Sequence, residues 1–165
     1  MFRCKGQFNV EYFVVLMVFL IFSLYFAFRL IEFYPEYLKN VKEEILRSDA
    51  YRLSEILIND DGEPAAWAGL PLGSIKRIGL SLESSDDYNL LNSSKVAKLE
   101  TKCNSSYETV KKLVGATHDF YIFVNDTNNV YECNSLPAVE NVAVVRRVVA
   151  FENGNYGKLI VYMWW

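Results

Sequence analysis

The sequence predicts an α+β protein in which a long N-terminal helix is followed by a head of short helices and an antiparallel β-sheet. Three observations support this: an uncharged apolar run near the N-terminus, a following stretch without Gly or Pro, and apolar segments separated by turn residues in the last third. With 165 residues, the chain has room for one modest domain. A hydrophobic content of 52% excludes a disordered chain, and a net charge of −3 argues against nucleic acid as the main partner.

The apolar run extends from Tyr12 to Phe28 and contains no charged side chain. As a helix it would be about 25 Å long, and flanking apolar residues can extend it toward the roughly 30 Å of a bilayer core. Arg3 and Lys5 precede it, so the positive-inside rule places the N-terminus in the cytoplasm and the rest of the chain outside. A buried core helix is the alternative, but the remaining chain is too small to cover such a helix on every side.

The residues at the start of this run predict how the chain is processed. No small-residue cleavage site of the secretory kind follows the run, which leads into the sequence FRLIE. Residues 5–12, KGQFNVEY, instead resemble the class III signal peptide of archaeal type IV pilin-like proteins. The resemblance implies that a prepilin peptidase cuts between Gly6 and Gln7, next to Lys5, and that Glu11 and Tyr12 match the family's Glu and Tyr.

The resemblance also implies three parts of the chain. Residues 1–6 are the leader, residues 7–34 form a hydrophobic transmembrane or filament-core helix, and residues 35–165 form an extracellular pilin-like head in which residues 35–59 continue the helix. Pro35 is expected to bend or briefly break that helix, because proline lacks an N–H and clashes with the preceding turn. Beyond it, an apolar face is predicted at Leu38, Val41, Ile45, Leu53 and Ile56.

Glu11 is the candidate assembly residue. A carboxylate at the mouth of a membrane helix is costly unless it reaches the interface or meets a positive charge. After cleavage, the new α-amine of Gln7 would lie one helical turn away, so Glu11 can pair with that amine or with the amine of a neighbouring subunit. The alternative is an acid that simply lies at headgroup level.

The head is expected to mix α and β elements. The pattern predicts two helices, at 95–103 and 105–115, the second opened by a capping box from Ser105 to Glu108. Asn153-Gly154 predicts a hairpin turn. Arg146 and Arg147 are adjacent in this hairpin, so one of them must face the inner side of the sheet or its edge; a solvated arginine and an edge-protecting arginine are favoured. The predicted strands are 75–82, 118–124, 130–133, 142–151 and 156–164.

A second, softer resemblance covers most of residues 60–165. The order of the segments GEPAAW (62–67), IGL (78–80), YETVKKLVG (107–115) and DFYI (119–122) is similar to the exported domain of euryarchaeal pilin-like proteins, which end in paired strands and Trp.

Cysteine and asparagine usage fit an exported domain. Cys4 would leave with the leader, and Cys103 and Cys133 would form a disulfide, the alternative being two unrelated buried thiols. These two cysteines and one histidine lack zinc-site spacing, so no metal or other cofactor is predicted. Three sequons predict glycan sites or arise by chance, with Asn104 expected to be hindered by capping; they begin at Asn92, Asn104 and Asn125.

No catalytic residues are predicted. The single histidine, His118, adjoins Asp119 at a predicted strand start, where successive side chains point to opposite faces. No nucleophile elbow or phosphate-binding loop accompanies them. The sequence therefore does not favour an enzyme.

Two functions stay open. The first is a structural subunit, with composition favouring a minor one, of an archaeal type IV pilus-like surface filament used for functions such as cell adhesion. Its partners would be the prepilin peptidase, the membrane before assembly, and other pilin subunits. The second is a membrane-anchored extracellular binding or receptor module that does not polymerise.

Overall fold

The computed structural model describes residues 10–82, 89–136, 138 and 141–165. A long N-terminal helix followed by a mixed five-stranded sheet confirms the predicted α+β class and is consistent with a pilin-like fold. By its internal contacts the chain divides into two compact units, residues 1–42 and residues 43–165.

The first helix, α1, extends from Val10 to Asn59 and passes through Pro35 without interruption. The predicted break at Pro35 is therefore wrong, while the predicted bend stays a prediction. Proline removes one backbone hydrogen bond, and long apolar helices tolerate this when local adjustments satisfy the freed carbonyl. In the first unit, every described residue from Val10 to Asn40 is exposed.

In the second unit, the last turns of α1 bury one apolar face. Its buried positions follow the spacing of four, three and four residues that keeps side chains on one side of a helix: Leu46, Ala50, Leu53 and Leu57. The predicted face is right at Leu53 but wrong at Leu38 and Ile45, which are 38% and 43% exposed. The buried positions Leu46 and Leu57 each lie one residue beyond the predicted Ile45 and Ile56, so the prediction misplaced the face by one position at these two points.

The sheet has the strand order β1-β4-β5-β2-β3, with β5 in the centre. Neighbouring strands are antiparallel except β1 and β4, which are parallel, so the prediction of an all-antiparallel sheet needs this correction. Four of the five predicted strands are confirmed within one residue at each end. The strand bounds are Leu90–Leu91 (β1), Asp119–Asn125 (β2), Val130–Cys133 (β3), Ala143–Phe151 (β4) and Tyr156–Trp164 (β5).

One face of the sheet lies in the hydrophobic core. Phe120 pairs with Met163 and Ile122 pairs with Val161 across β2 and β5, and all four side chains are buried. The β4–β5 hairpin closes through a turn in which Gly154 has a φ of +80°, as the Asn-Gly pair predicts.

The segment 75–82, predicted as a strand, forms no continuous strand: the amide of Leu82 donates to the carbonyl of Leu90 in β1 at 3.1 Å, but earlier amides of the segment bond to helix ends. The amide of Ile78 donates to the carbonyl of Leu113 at 3.2 Å, and the amide of Leu80 donates to the carbonyl of Leu57 at 2.8 Å. Gly79 lies so close to the end of α1 that an added Cβ would be 2.0 Å from the carbonyl oxygen of Asp60. A sequence pattern cannot distinguish such a buried extended connection from a strand.

The two predicted short helices form one element, α2, from Ser93 to Leu113, which is interrupted only at Ser106. Ser106 has φ −159° and ψ 79°, so its backbone is extended between two helical segments. The predicted capping box from Ser105 to Glu108 does not appear among the hydrogen bonds of these residues: the Ser105 hydroxyl donates to the carbonyl of Lys102 at 2.8 Å. The Ser106 hydroxyl bonds the Thr109 hydroxyl at 2.8 Å.

Lys95 is a charged residue of the core that the sequence analysis did not single out. It is 2% exposed, and its Nζ donates to the carbonyl oxygens of Asp61 at 2.8 Å and Ser81 at 3.0 Å. The side chain of Asn92 caps α2 by accepting a bond from the Lys95 amide at 3.1 Å. Lys95 thereby ties the residues after α1 to the connection before β1.

Arg147 also joins α1 to the sheet. Its guanidinium pairs with the Glu55 carboxylate and lies 4.2 Å from the ring centre of Tyr51. Arg146 is exposed, as one of the two arginines was expected to be. The expectation that the other would protect an edge is wrong for Arg147, because its position on the core face brings it to α1.

The structure joins Cys103 of α2 to Cys133 of β3 in a disulfide, with 5.3 Å between their Cα atoms. Both residues are buried in the core. The structure therefore favours the disulfide over the alternative of two unrelated buried thiols.

Replacing both Cys103 and Cys133 by serine is expected to lower the free energy of unfolding by about 3–4 kcal/mol, because the disulfide closes a long loop of the unfolded chain. Urea unfolding of the full chain in detergent, followed by tryptophan fluorescence, measures this loss. Cys4→Ser is the matched control and should leave the midpoint unchanged. An unchanged midpoint in the double variant would contradict the prediction.

Candidate functional site

The first feature of the candidate site is the apolar part of α1. Within the described residues, this is the one helix long and apolar enough to cross a membrane, with a mean hydropathy of 2.5 over its most apolar 18 residues. None of that window is buried. Individual side chains such as Phe22 are 71% exposed, and exposed apolar surface on this scale is typical of contact with lipid or with other chains.

The second feature is the N-terminal end of that helix. Glu11 and Tyr12 lie in the first turn of α1 and are both exposed. An acid in a first helical turn is stabilised by the free N–H groups and the positive end of the helix dipole. Lys5, Gly6 and Gln7, which carry the predicted cleavage site, lie outside the described residues.

Arg29 is the first charged residue after the apolar run, and its contacts reduce the cost of its charge. Its Nε donates to the Tyr25 hydroxyl at 3.2 Å, and its Nη1 is 3.2 Å from the Glu32 carboxylate. The guanidinium also lies 5.6 Å from the Tyr25 ring centre. An arginine held in this way can lie at the end of an apolar segment and extend toward the headgroups.

The three predicted glycan sites have different surroundings. Asn92 is half-buried and uses its side-chain oxygen to cap α2, while Asn125 accepts a bond from the Lys158 amide at 3.1 Å. Asn104 is exposed and lies two residues before the extended backbone of Ser106. The expectation that capping would bury Asn104 is therefore wrong, because its side chain is exposed.

His118 and Asp119 point in different directions, as alternation at a strand start predicts. Nδ1 of His118 is 2.9 Å from the Asp49 carboxylate, and its ring lies edge-on against Trp165 at 4.2 Å. Asp119 instead pairs with Lys111 at 2.5 Å. The two residues therefore do not share a site, and each joins a strand end to a helix.

Tyr107 lies beside the Asp119–Lys111 ion pair. Its hydroxyl accepts a hydrogen bond from the Phe120 amide at 2.9 Å, and burial raises the pKa of Tyr107 to about 12. The folded state therefore favours the neutral form of the Tyr107 hydroxyl. The contribution of Tyr107 to the stability of the folded state is present below pH 10 and is lost as the pH rises toward 12. These contacts describe a structural role. Within the residues described, no group of three or more His, Cys, Asp or Glu is placed to hold a metal ion.

Together, the described features define an α+β protein with one exposed N-terminal helix of membrane-spanning length and a disulfide-linked second unit. A protein of Archaeoglobus fulgidus that is described as an uncharacterized protein is 28% identical to this chain over 168 aligned positions. The alignment covers 90% of the chain and 86% of the relative, so the likeness includes both the helix and the sheet. No family model and no solved structure matches the chain.

Proposed function

We propose that the protein is a structural subunit, of the minor kind, of an archaeal type IV pilus-like surface filament. In this proposal a prepilin peptidase cuts between Gly6 and Gln7, and the retained helix moves from the membrane into the filament core. The observation that supports it best is the helix itself, which is fully exposed from Val10 to Asn40 and carries an acid in its first turn. The pilin-like fold class and the similar archaeal protein are compatible with this assignment.

The physical argument rests on what can cover the apolar surface of α1. Lipid covers it before assembly, and equivalent helices of other subunits can cover it afterwards, since van der Waals contact between large side chains drives helix association. The aromatic residues that would make these contacts are spread along the exposed run: Phe13, Phe19, Phe22, Tyr25, Phe26 and Phe28.

N-terminal sequencing and mass measurement of the protein from membranes and from sheared surface filaments test the proposal. A mature chain that begins at Gln7 and is recovered in filaments supports it. A chain that keeps residues 1–6 and is found only in membranes supports the alternative of a membrane-anchored extracellular module. Gly6→Ala should still be cut, whereas Gly6→Leu should accumulate uncut because the bulkier side chain hinders the peptidase.

If the head is exported as proposed, Asn104 is expected to carry the glycan. It is exposed, as a glycosylated surface asparagine must be, and its sequon ends at Ser106, where the backbone leaves the helical conformation. Mass spectrometry of peptides from the native protein should find added sugar on Asn104 and little on Asn92, whose side chain caps a helix. Asn104→Gln should remove most of the added mass, and Asn125→Gln is the control. Modification of Asn92 alone would contradict the prediction.

A further inference from the structure

The face of the sheet opposite the core has an unusual composition. Across β2 and β5, the pairs Tyr121–Tyr162 and Phe123–Ile160 point to this face, and the two tyrosine rings lie 5.5 Å apart. We call this surface the outer face. Its side chains are half-buried or exposed apart from that of Trp164; the remaining members on β3, β4 and β5 are Val130, Glu132, Val144, Arg146, Val148, Tyr156 and Lys158.

Two charged residues of the outer face lie at opposite ends of one row across the sheet. Glu132 of β3 pairs with Phe123, Phe123 pairs with Ile160, and Ile160 pairs with Arg146 of β4. One row across the sheet therefore carries an acid at one end, two apolar side chains in the middle and a base at the other end. The ends of the row are three strand spacings apart, or about 14 Å, which is too far for Glu132 and Arg146 of one copy to pair with each other.

We propose that the outer face binds the same face of a second copy of this chain. A two-fold axis parallel to the strands, midway between β2 and β5, places β3 over the second copy's β4 and keeps each row over itself. Glu132 then meets the second copy's Arg146 at both ends of the row, and Phe123 covers the second copy's Ile160. Aligned packing of two sheet faces in this manner is a standard arrangement in β-sandwiches.

The neighbouring rows are also self-complementary under this axis. Tyr121 lies over the second copy's Tyr162, and Val130, which is 56% exposed, lies over the second copy's Val148, which is 71% exposed. An acidic or a basic partner would satisfy one end of the Glu132–Arg146 row and oppose the other. A second copy satisfies both ends, so charge complementarity favours a second copy over an acidic or a basic partner.

The contact is expected to be weak for one pair of molecules. Four strands of five residues cover about 19 by 17 Å, which places the interface at the small end of specific protein contacts. Tyr121 and Glu132 remain close within one copy, and burial and the neighbouring carboxylate raise the pKa of Tyr121 to about 12. The proposal concerns the second unit and does not require that the chain polymerises through α1.

Charge reversal tests the proposal on the full chain in detergent, with association measured by analytical ultracentrifugation. Arg146→Glu and Glu132→Arg should each weaken association by roughly tenfold or more, because each places like charges together at both ends of the row. A mixture of these two variants should restore association, since every Glu–Arg contact is then re-formed between unlike chains. The variant with both changes should associate as the wild type does.

Lys98→Glu makes the same charge change as Arg146→Glu at an exposed position of α2 and serves as the control. Association that no variant alters would arise from α1 and would overturn the proposal. Failure of the mixture to recover would overturn it too. Each variant's near-UV circular dichroism should match the wild type, which separates loss of contact from loss of fold.

Discussion

Replacing Glu11 by alanine is expected to leave the protein in the membrane at normal levels and to reduce its share in filaments by more than about tenfold. In the proposed filament, the carboxylate pairs with the α-amine of Gln7 that processing creates. Removing one partner of such a pair inside an apolar core leaves the other charge uncompensated, at a cost of about 3–5 kcal/mol per subunit. Quantitative immunoblots of membrane and sheared-filament fractions measure the ratio.

Three further variants make this experiment specific. Glu11→Asp keeps the charge and should retain most incorporation, whereas Glu11→Gln should resemble alanine. Glu36→Ala removes another exposed carboxylate of the same helix and should have no effect. Incorporation of Glu11→Ala at the wild-type level would show that the carboxylate lies at the membrane surface without an assembly role.

Replacing Lys95 by methionine is expected to lower the free energy of unfolding of the second unit by about 3 kcal/mol. Methionine fills a similar volume but leaves the carbonyl oxygens of Asp61 and Ser81 without the charged donor that binds them now. Buried carbonyls that lose their partner carry a desolvation cost of about 1–3 kcal/mol each. Urea unfolding in detergent, followed by the fluorescence of the three tryptophans, reports this change, because all three lie beyond residue 42.

Lys98→Met is the matched control on the same helix. Lys98 is exposed, so its replacement should change the free energy of unfolding by less than about 0.5 kcal/mol. Equal midpoints for the Lys95 and Lys98 variants would show that the buried ammonium contributes nothing beyond the volume it fills.

Much of the fold could be predicted from the sequence where a periodic pattern is long. The apolar run was predicted from its length without charge, and β2 to β5 were predicted from apolar segments bounded by turn residues. The connection at 75–82 was predicted as a strand because its apolar content is right for one. Only its end bonds to β1; the amides of Ile78 and Leu80 bond to the carbonyls of Leu113 and Leu57, and such partners are set by tertiary packing.

The candidate site was predictable to a different degree at each residue. The pairing of Cys103 with Cys133 followed from an even number of cysteines after leader removal. Lys95 could not be found in this way, since a lysine on a polar helix is normally solvated and its burial depends on two carbonyls that lie 34 and 14 positions away in sequence. The exposure of Asn104 likewise depends on which elements pack against α2.

The central position of β5 has a consequence for biogenesis. Before Tyr156 has been synthesised, β1 can pair with β4 and β2 can pair with β3, but no strand connects these two ladders. Insertion of β5 between them is thus a late event: it forms a local hairpin with β4, but its pairing with β2 joins strands distant in sequence, which slows folding. Until then, the inner edges of both ladders are open to mispairing with other nascent chains, so a chaperone acting at this stage would protect the protein most.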